Sequence, residues 1–149
     1  MSTILVENKK ARLRFTVLEN FSAGIELVGH EAKALRAKQG SLDGARVVVR
    51  GGEAYLVGMT IPPYQPSNAP KGYDPERTRR LLLKKEEIAR MADIETKKGL
   101  TTVPLEVYNE KYLKVRVAIV RGKGKADKRE DIKRRDAERE TARVLKRKV

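Results

Sequence analysis

The stretch from Tyr112 to Arg121 reads YLKVRVAIVR. Every second residue from Leu113 to Ile119 is apolar and falls on one face of an extended chain, whereas Lys114 and Arg116 fall on the other face. A period of two residues predicts a β-strand with one buried and one outward face. We therefore expect this stretch to be a strand of the core whose basic side chains point outward.

Five further segments carry strand signals, which gives six strands in all. Leu13 begins a short alternating run, and the polar pair Glu19-Asn20 then predicts a hairpin into the next strand. The pair Gly51-Gly52 between two β-rich runs is a second hairpin signal, because tight turns favour glycine. The predicted strands are residues 12–17, 23–29, 45–50, 53–61, 100–108 and 112–121.

Two helical segments interrupt the strands. The first is predicted from His30 to Gln39, between two glycines. The second begins at Asp74-Pro75, an N-cap residue followed by proline at the first helical position, and Gly99 is its predicted C-cap. A break near residues 84–86 would split this second segment in two.

Six short strands with a helix inserted part-way are typical of a small antiparallel barrel of the oligonucleotide-binding type, closed or nearly closed, with peripheral helices. A sandwich of two sheets fits the same pattern. After Arg121, large aliphatic residues are too few to bury a face. We therefore predict a mainly β body over residues 1–120 and a basic tail over residues 121–149.

The chain carries 34 Lys and Arg against 20 Asp and Glu, a formal net charge of +14. Its tail alone has 13 basic and 6 acidic residues. Since like charges repel in a compact fold, such an excess indicates a polyanionic partner: DNA, RNA or an anionic membrane surface. With 5 tyrosines and 2 phenylalanines there is no broad base-stacking platform, so recognition of the backbone and shape of folded RNA is favoured.

No segment predicts catalysis or a membrane span. The chain has no cysteine, its N-terminal apolar run is too short for a signal peptide, and no apolar run approaches the roughly 20 residues of a membrane helix. The single histidine, His30, is expected to be structural, and Glu26 and Glu31 are poorly spaced for a metal site. A Gly-Lys-Gly-Lys run from Gly122 lacks the spacing of a phosphate-binding loop. We expect a cytoplasmic, non-enzymatic protein without cofactor or metal.

Basic residues of the body form three groups. Lys9 and Arg12 belong to a cluster before the first predicted strand, and Lys33 and Arg36 lie three residues apart on one helix face. Three more arginines fall within residues 77–80. An ordinary solvated surface accounts for some of these charges, but a net charge of +14 favours RNA contacts for the others.

The tail has acid-then-base pairs at a spacing of four residues, such as Asp131 with Arg135, and a row of arginines at 135, 139, 143 and 147. This spacing gives a basic stripe if the segment is helical. Without a core to pack on, we expect the tail to be disordered alone and to fold along RNA. A solubilising tail is the simpler alternative.

Six motifs occur in order along nearly the whole chain. They are Asn8-Lys-Lys-Ala-Arg12, Phe21-Ser-Ala-Gly-Ile25, Gly29-His-Glu-Ala-Lys-Ala-Leu-Arg36, Arg77-Thr-Arg-Arg-Leu-Leu-Leu83, Gly99-Leu-Thr-Thr-Val-Pro-Leu105 and Asp127-Lys-Arg-Glu-Asp-Ile-Lys133. Each is weak alone, but the ordered set is specific. Together they resemble the small protein B family, the SsrA-binding proteins of bacteria.

The resemblance implies an oligonucleotide-binding barrel and a role in trans-translation. Members of the family bind the tRNA-like domain of transfer-messenger RNA and carry it, with elongation factor Tu, to ribosomes stalled on messages that lack a stop codon. The body would stand in for part of the missing anticodon arm. The tail would fold against small-subunit ribosomal RNA in the decoding centre and reach into the empty message channel. We expect a monomer in this role.

The family's motifs also imply which residues bind. Those implied to contact the tRNA-like domain are Asn8, Lys9, Arg12, Leu82 and Lys114, and the basic pair Lys33 and Arg36 would add to this surface. Those implied at the decoding centre are Gly122, as the hinge of the tail, with Asp127, Lys128, Arg129, Arg135 and Arg139.

Two positions depart from the family's pattern. Ser22 stands where members often have glutamate, so an acidic RNA contact would be absent. Ala126 stands where many members carry histidine or an aromatic residue, which excludes stacking on a ribosomal base from that position. Neighbouring cations would then have to supply the binding there.

Two other functions are compatible with the composition. An architectural protein that coats ribosomal RNA without specificity would need the same charge. A nuclease would need a carboxylate cluster to hold Mg²⁺, and the sequence shows none.

Overall fold

The structure is a computed structural model that describes residues 3–68 and 70–122. At its centre is one antiparallel sheet of seven strands in the order β1-β6-β7-β2-β5-β4-β3. The strands are β1 (Thr3–Glu7), β2 (Phe15–Ile25), β3 (Arg46–Arg50), β4 (Glu53–Val57), β5 (Arg79–Leu82), β6 (Leu100–Asn109) and β7 (Leu113–Gly122). The helices are α1 (Lys9–Arg14), α2 (Gly29–Arg36) and α3 (Lys85–Glu95), and a short 3₁₀ turn spans Pro66–Asn68.

The alternating stretch that begins at residue 113 forms β7, as its pattern predicts. Leu113, Val115 and Val117 lie in the main core, while Lys114 and Arg116 are half-buried on the opposite, outer face. β7 pairs with β6 on one side and with β2 on the other along most of its length. It is therefore a central strand, and its outer face is flanked by strands on both sides.

Helix α1 covers one end of this outer face. Ala11 of the helix packs with Val103 and Leu105 on β6 and with Ala118 and Val120 on β7, in a small core separate from the main one. Apolar contact on this side of the sheet fixes the helix in place. Beyond α1, the same face carries an open cleft around Leu82 and Lys114.

The prediction of six strands is wrong, because the described residues form seven. Residues 3–7, where no strand was expected, form β1 and pair with β6. The predicted hairpin at Glu19-Asn20 is instead the middle of one continuous strand, β2. A β-bulge between Val17 and Glu19 absorbs the polar break, so that pairing with β7 continues on both sides of it.

The first alternating run, predicted as a strand over residues 12–17, is a strand only in its second half, because residues 15–17 begin β2. Leu13 lies in α1 and not in a strand, since the Asn8 side chain caps the helix by accepting a hydrogen bond from the Ala11 N–H at 3.2 Å. Alternation over only five residues does not distinguish a strand from one and a half helical turns.

The helix predicted from Asp74 is wrong in its first half. Arg79–Leu82 forms β5, paired with β2 and β4, and α3 begins only at Lys85, at the predicted break. Burial alternates along β5, with the side chains of Arg79 and Leu81 inside and their neighbours outside. Sheet pairing has overridden a leucine-rich sequence that otherwise favours helix.

The remaining helix boundaries differ by a few residues. The helix predicted over His30–Gln39 is α2, which spans Gly29–Arg36. α3 ends at Glu95 with Thr96 as its C-cap, so Gly99 is not the cap. Instead Gly99 has a φ of 81° in the turn that leads into β6, a conformation that suits glycine.

The sheet curls but does not close within the described residues. β1 and β3 are its edges, and no backbone pairing joins them. At the β3 edge the Glu95 carboxylate accepts a hydrogen bond from the Val49 N–H at 2.7 Å and pairs with Arg50 at 3.1 Å. A side chain from α3 thus occupies part of an edge that a neighbouring strand would cover. The structure confirms a mainly β, antiparallel fold with helices around one sheet, and the sandwich does not apply.

Candidate nucleic-acid interface

The outer face of the sheet brings residues from four strands into one row. Leu82 on β5 lies opposite Gly24 on β2, Gly24 lies opposite Lys114 on β7, and Lys114 lies opposite Tyr108 on β6. Leu82 is 47% exposed, which is unusual for a leucine in a strand. The row therefore places an apolar side chain and a cation on either side of a residue that has no side chain.

Gly24 is what allows Leu82 to lie across β2. A Cβ atom at Gly24 would meet the Leu82 Cβ at 3.2 Å and its Cδ1 at 3.3 Å, which is tighter than ordinary van der Waals contact. Around these residues is an open cleft of about 400 Å³ that Ser22 and Lys84 also line. The pairing register of the strands brings these residues together, although they lie far apart in the sequence.

A second row runs beside the first. Ser22 on β2 lies opposite Arg116 on β7, which lies opposite Glu106 on β6. The Ser22 hydroxyl is hydrogen-bonded to the hydroxyl of Tyr108. The Arg116 guanidinium lies 5.3 Å from the centre of the Tyr108 ring, close enough for a cation–π contact. The two rows are thus connected through Tyr108.

Glu106 supplies a negative charge in this second row. Its Oε1 accepts a hydrogen bond from the Arg116 Nε at 3.0 Å and lies 4.0 Å from an Arg12 nitrogen, and the residue is only 8% exposed. One carboxylate therefore connects α1 to β7. The acidic contact that the resemblance implies is absent at Ser22, yet the same cross-strand row contains the acid Glu106. Sequence reasoning missed Glu106, because its position depends on the register and on the β-bulge between Pro104 and Glu106.

Asn8 is fully engaged within the fold. Its side-chain N–H donates to the Pro104 carbonyl at 2.8 Å and its side-chain oxygen caps α1, while its backbone N–H donates to the Leu105 carbonyl at 2.8 Å. The residue is 3% exposed. The structure therefore gives Asn8 a role in holding α1 against β6, with Lys9 and Arg12 exposed on that helix.

Lys33 and Arg36 lie on a different element. Both are exposed on α2, which is anchored through the buried residues Ala34 and Leu35. The structure does not bring either one into the two cross-strand rows. Their predicted part in RNA binding stays a prediction.

A buried ion cluster holds the end of β5 that is opposite to Leu82. Arg79 is fully buried and donates to Glu31 Oε2 from Nε at 2.9 Å and from Nη2 at 2.6 Å. Arg77 donates to the other carboxylate oxygen at 2.6 Å, and the Tyr73 hydroxyl donates to Oε2 at 2.9 Å. These contacts join α2 to β5 and to the preceding loop.

The pKa of Glu31 reflects this environment. Burial alone would raise it, but hydrogen bonds from Arg77, the Val28 N–H and Arg79, together with the charge of Arg79, lower the pKa to about 2. Glu31 is therefore ionised at any pH near neutrality. The pair Glu26 and Glu31, considered above as a metal site, is instead divided between a surface carboxylate and a buried ion cluster.

The other candidates for chemistry lie apart from the rows. His30 packs edge-on against the Tyr73 ring, with 4.4 Å between ring centres. Among residues 3–68 and 70–122, no three His, Cys, Asp or Glu side chains are grouped so as to hold a metal ion. No helix in the same ranges is long and apolar enough to cross a membrane.

Gly122 is the last residue of β7, lies opposite Phe15 and is exposed. The predicted decoding-centre residues lie outside the described part of the chain. These are Asp127, Lys128, Arg129, Arg135 and Arg139, and Ala126 lies there too.

Comparison with known proteins gives consistent matches. The SmpB protein family matches residues 5–147. An SsrA-binding protein of Microcystis aeruginosa is 43% identical over 145 residues, which cover 97% of this chain and 94% of that protein. One of Streptococcus pyogenes serotype M18 is 44% identical over 144 residues, which cover 96% and 92%. A chain of a solved structure described as "tmRNA-SmpB: a journey to the center of the bacterial ribosome" matches with a TM-score of 0.67 and 38% identity, covering 85% of this chain and 92% of that chain.

Proposed function

The chain belongs to the SmpB family, and we propose that it is an RNA-binding adaptor of trans-translation. It binds the tRNA-like domain of transfer-messenger RNA and delivers that RNA to stalled ribosomes. It acts by binding and not by catalysis. The observation that supports this most directly is the row formed by Leu82, Gly24 and Lys114 on an open sheet face.

The chemistry of that row suits folded RNA. The outer face of the sheet can lie against a sugar–phosphate backbone, with Lys114 next to phosphate oxygens and the exposed Leu82 against a ribose or base face. Arg116 is held over an aromatic ring, so its guanidinium loses little freedom on binding. With a single tyrosine in this row, the surface favours recognition of shape over stacking on a run of bases.

The fold fits the same proposal. A curled antiparallel sheet that binds through the outer face of its central strands is the arrangement of oligonucleotide-binding domains. We propose that the body is an open variant of that fold, with β1 and β3 as its unpaired edges.

The delivered complex contains elongation factor Tu together with the RNA. Within the ribosome the tail, beginning after Gly122, binds small-subunit ribosomal RNA at the decoding centre through Asp127, Lys128 and Arg129. Arg135 and Arg139 continue into the empty message channel. Support for this arrangement comes from the basic composition of the tail and from the family's motifs.

A binding measurement with a charge reversal tests the site. Lys114→Glu should weaken binding to a tRNA-like domain of transfer-messenger RNA and reduce the slope of log K against log salt by about one, since one phosphate contact is lost. The matched control is Lys98→Glu, which makes the same charge change in an exposed turn after α3. Equal losses in both variants would show that only net charge matters.

A second comparison tests the partner. The wild-type protein should bind the tRNA-like domain more tightly than an unrelated RNA duplex of the same length, at the same salt concentration. Equal affinities would favour the architectural protein that coats ribosomal RNA. In that case the protein should also cosediment with vacant ribosomal subunits in the absence of transfer-messenger RNA.

A further inference from the structure

Helix α1 divides its basic residues between two faces. Lys9 and Arg12 are three residues apart, and Arg12 reaches toward Glu106 and the outer rows. Lys10 and Arg14 are four residues apart, which places them together on another face of the same helix. Of these four residues, the proposed interface includes only Lys9 and Arg12, and Lys10 and Arg14 face another part of the surface.

The second pair borders a cleft of about 220 Å³ between α1, the start of β3 and the start of β6. Its apolar surface comes from Ala11, Phe15, Ala45 and Val103, and Phe15 is only partly buried. At the rim stand Lys10, Arg14 and Arg46, with Gly44 as a part of the wall that has no side chain. The cleft thus combines an apolar interior with a cationic edge.

The arginines at this rim differ from most others in the body. Within the described residues, arginines at positions 12, 50, 77, 79, 80, 90 and 116 each lie within 4.0 Å of a carboxylate. Arg14 and Arg46 have no such partner in those residues, and Lys10 has only the exposed Asp43 at 3.6 Å. Two arginines whose charge no nearby carboxylate offsets therefore meet at one cleft, which favours an anionic ligand there.

We propose that this cleft binds a single unpaired nucleotide of an RNA strand. Its base lies in the apolar interior against Phe15, and its flanking phosphates contact Arg14 and Arg46. Unpaired bases that leave a helix are commonly held between aromatic or apolar side chains and cationic groups. The site is separate from the Leu82 and Lys114 surface, and the proposal does not depend on which RNA that surface binds.

The size and polarity of the cleft favour a single nucleotide over an RNA duplex or a phosphate ion. Pockets for drug-sized ligands run from about 300 Å³ upward, so a cleft of about 220 Å³ suits one base with part of its sugar. An RNA duplex is too wide to enter it. A phosphate ion alone would leave the apolar interior unfilled and would make no use of the Phe15 side chain in the wall.

The first test uses the full chain and free mononucleotides. Titration with UMP or AMP, followed by NMR, should shift the amide signals of Ala11, Phe15 and Ala45 and should reach saturation. Ribose 5-phosphate carries the same phosphate without a base and should not reproduce these shifts. Equal shifts from ribose 5-phosphate would overturn the proposal, because the cleft would then bind only charge.

Variants connect the cleft to this binding. Arg14→Gln with Arg46→Gln should weaken mononucleotide binding by roughly tenfold or more, since charged hydrogen-bond partners are lost. Thr101→Trp should block the cleft from the β6 side without a change in charge. The control, Lys71→Gln with Lys85→Gln, removes two exposed cations elsewhere and should bind mononucleotides as the wild type does. An equal loss in the control would contradict the assignment.

Chemical probing identifies the source of the nucleotide. Transfer-messenger RNA and small ribosomal subunits are probed in separate experiments, each with the wild type, the two cleft variants and the control. One unpaired nucleotide, in one of the two RNAs, should be protected by the wild type and the control and exposed with both cleft variants. If no nucleotide in either RNA behaves in this way, the proposal is wrong. Lys114→Glu should leave mononucleotide titration unchanged, so failure of the proposed interface and failure of this cleft give different results.

Discussion

Glu31 is a buried carboxylate that accepts hydrogen bonds from Arg77, Arg79, Tyr73 and the Val28 N–H. Its side-chain partners lie 42 to 48 residues away in the sequence. No spacing rule connects residues that far apart, which is why the sequence predicted only a poorly spaced pair of glutamates. At the scale of single residues, the sequence therefore indicates charge and burial better than it indicates partners.

Glu31→Gln should destabilise the protein by about 3–5 kcal/mol, because it leaves the buried Arg79 without its counter-charge. Since the folded-state pKa of Glu31 is lowered to about 2, the stability it provides is complete above its unfolded pKa of about 4.3 and is lost as the pH falls toward 2. Urea unfolding from pH 7 to pH 2 measures both effects. The wild type should lose stability over the acidic range, and the variant should show a flatter profile.

Glu110→Gln is the matched control for this measurement. Glu110 is an exposed carboxylate that lies 3.8 Å from Lys114, and its loss should change the unfolding free energy by no more than about 0.5 kcal/mol. A Glu31→Gln variant as stable as this control would show that the buried cluster contributes little to folding.

Among the elements, β7 and β5 show what a periodic pattern can and cannot predict. The strand β7 could be predicted from its alternation, because apolar residues at a spacing of two share one face of a strand but not one face of a helix. β5 has only four residues, and three successive leucines at 81–83 fit a helix equally well. Its strand state depends on pairing with β2 and β4, which are distant in sequence. Leu82 and Lys114 could therefore be predicted as binding residues through the family's motifs, whereas the part of Gly24 and the register that aligns the three could not.

The contact between α1 and the sheet allows a prediction about Glu106. Glu106→Gln should weaken the attachment of Arg12 and Arg116 and cost about 1–3 kcal/mol of stability, because a partly buried charged hydrogen bond is lost. Both guanidinium groups would then bind phosphate with less constraint. Affinity for an unrelated duplex should rise, while the preference for the tRNA-like domain should fall, in filter binding at fixed salt.

The control for this change is Glu19→Gln. Glu19 lies outside the cleft around Leu82 and Lys114, pairs with Arg90 at 3.0 Å, and loses the same single negative charge on substitution. If the two variants alter the preference for the tRNA-like domain to the same extent, the effect comes from net charge and not from the position of Arg12 and Arg116.

For the molecule as a whole, the amino-acid composition predicted the type of partner. It did not predict that the sheet curls without closing. A net charge of +14 indicates a polyanion whatever the fold. Closure of a sheet depends instead on whether its edge strands meet, and here Glu95 occupies part of the β3 edge through the Val49 N–H. That hydrogen bond joins residues 46 positions apart, so the open edge could not be read from local pattern.

We expect the body to bind the tRNA-like domain and the tail to be required for tagging on the ribosome. Deletion of residues 123–149 removes 12 basic and 6 acidic residues and leaves residues 1–122 with a formal net charge of +8. Because both outer rows belong to the body, affinity for the tRNA-like domain should change by no more than about threefold near 0.15 M salt, where distant charges are largely screened. Tagging of nascent chains on stalled ribosomes should be abolished, since the proposed decoding-centre residues are gone.

Charge reversal in the tail gives the complementary test. Arg135→Glu with Arg139→Glu keeps the full length and should reduce tagging less than deletion does, because only two cations of the basic stripe change. RNA binding by the body should again stay intact. If the truncated protein still supports tagging, the tail is a solubilising segment, and the contacts that recognise a stalled ribosome must lie in the body, where Arg14 and Arg46 would be the first candidates.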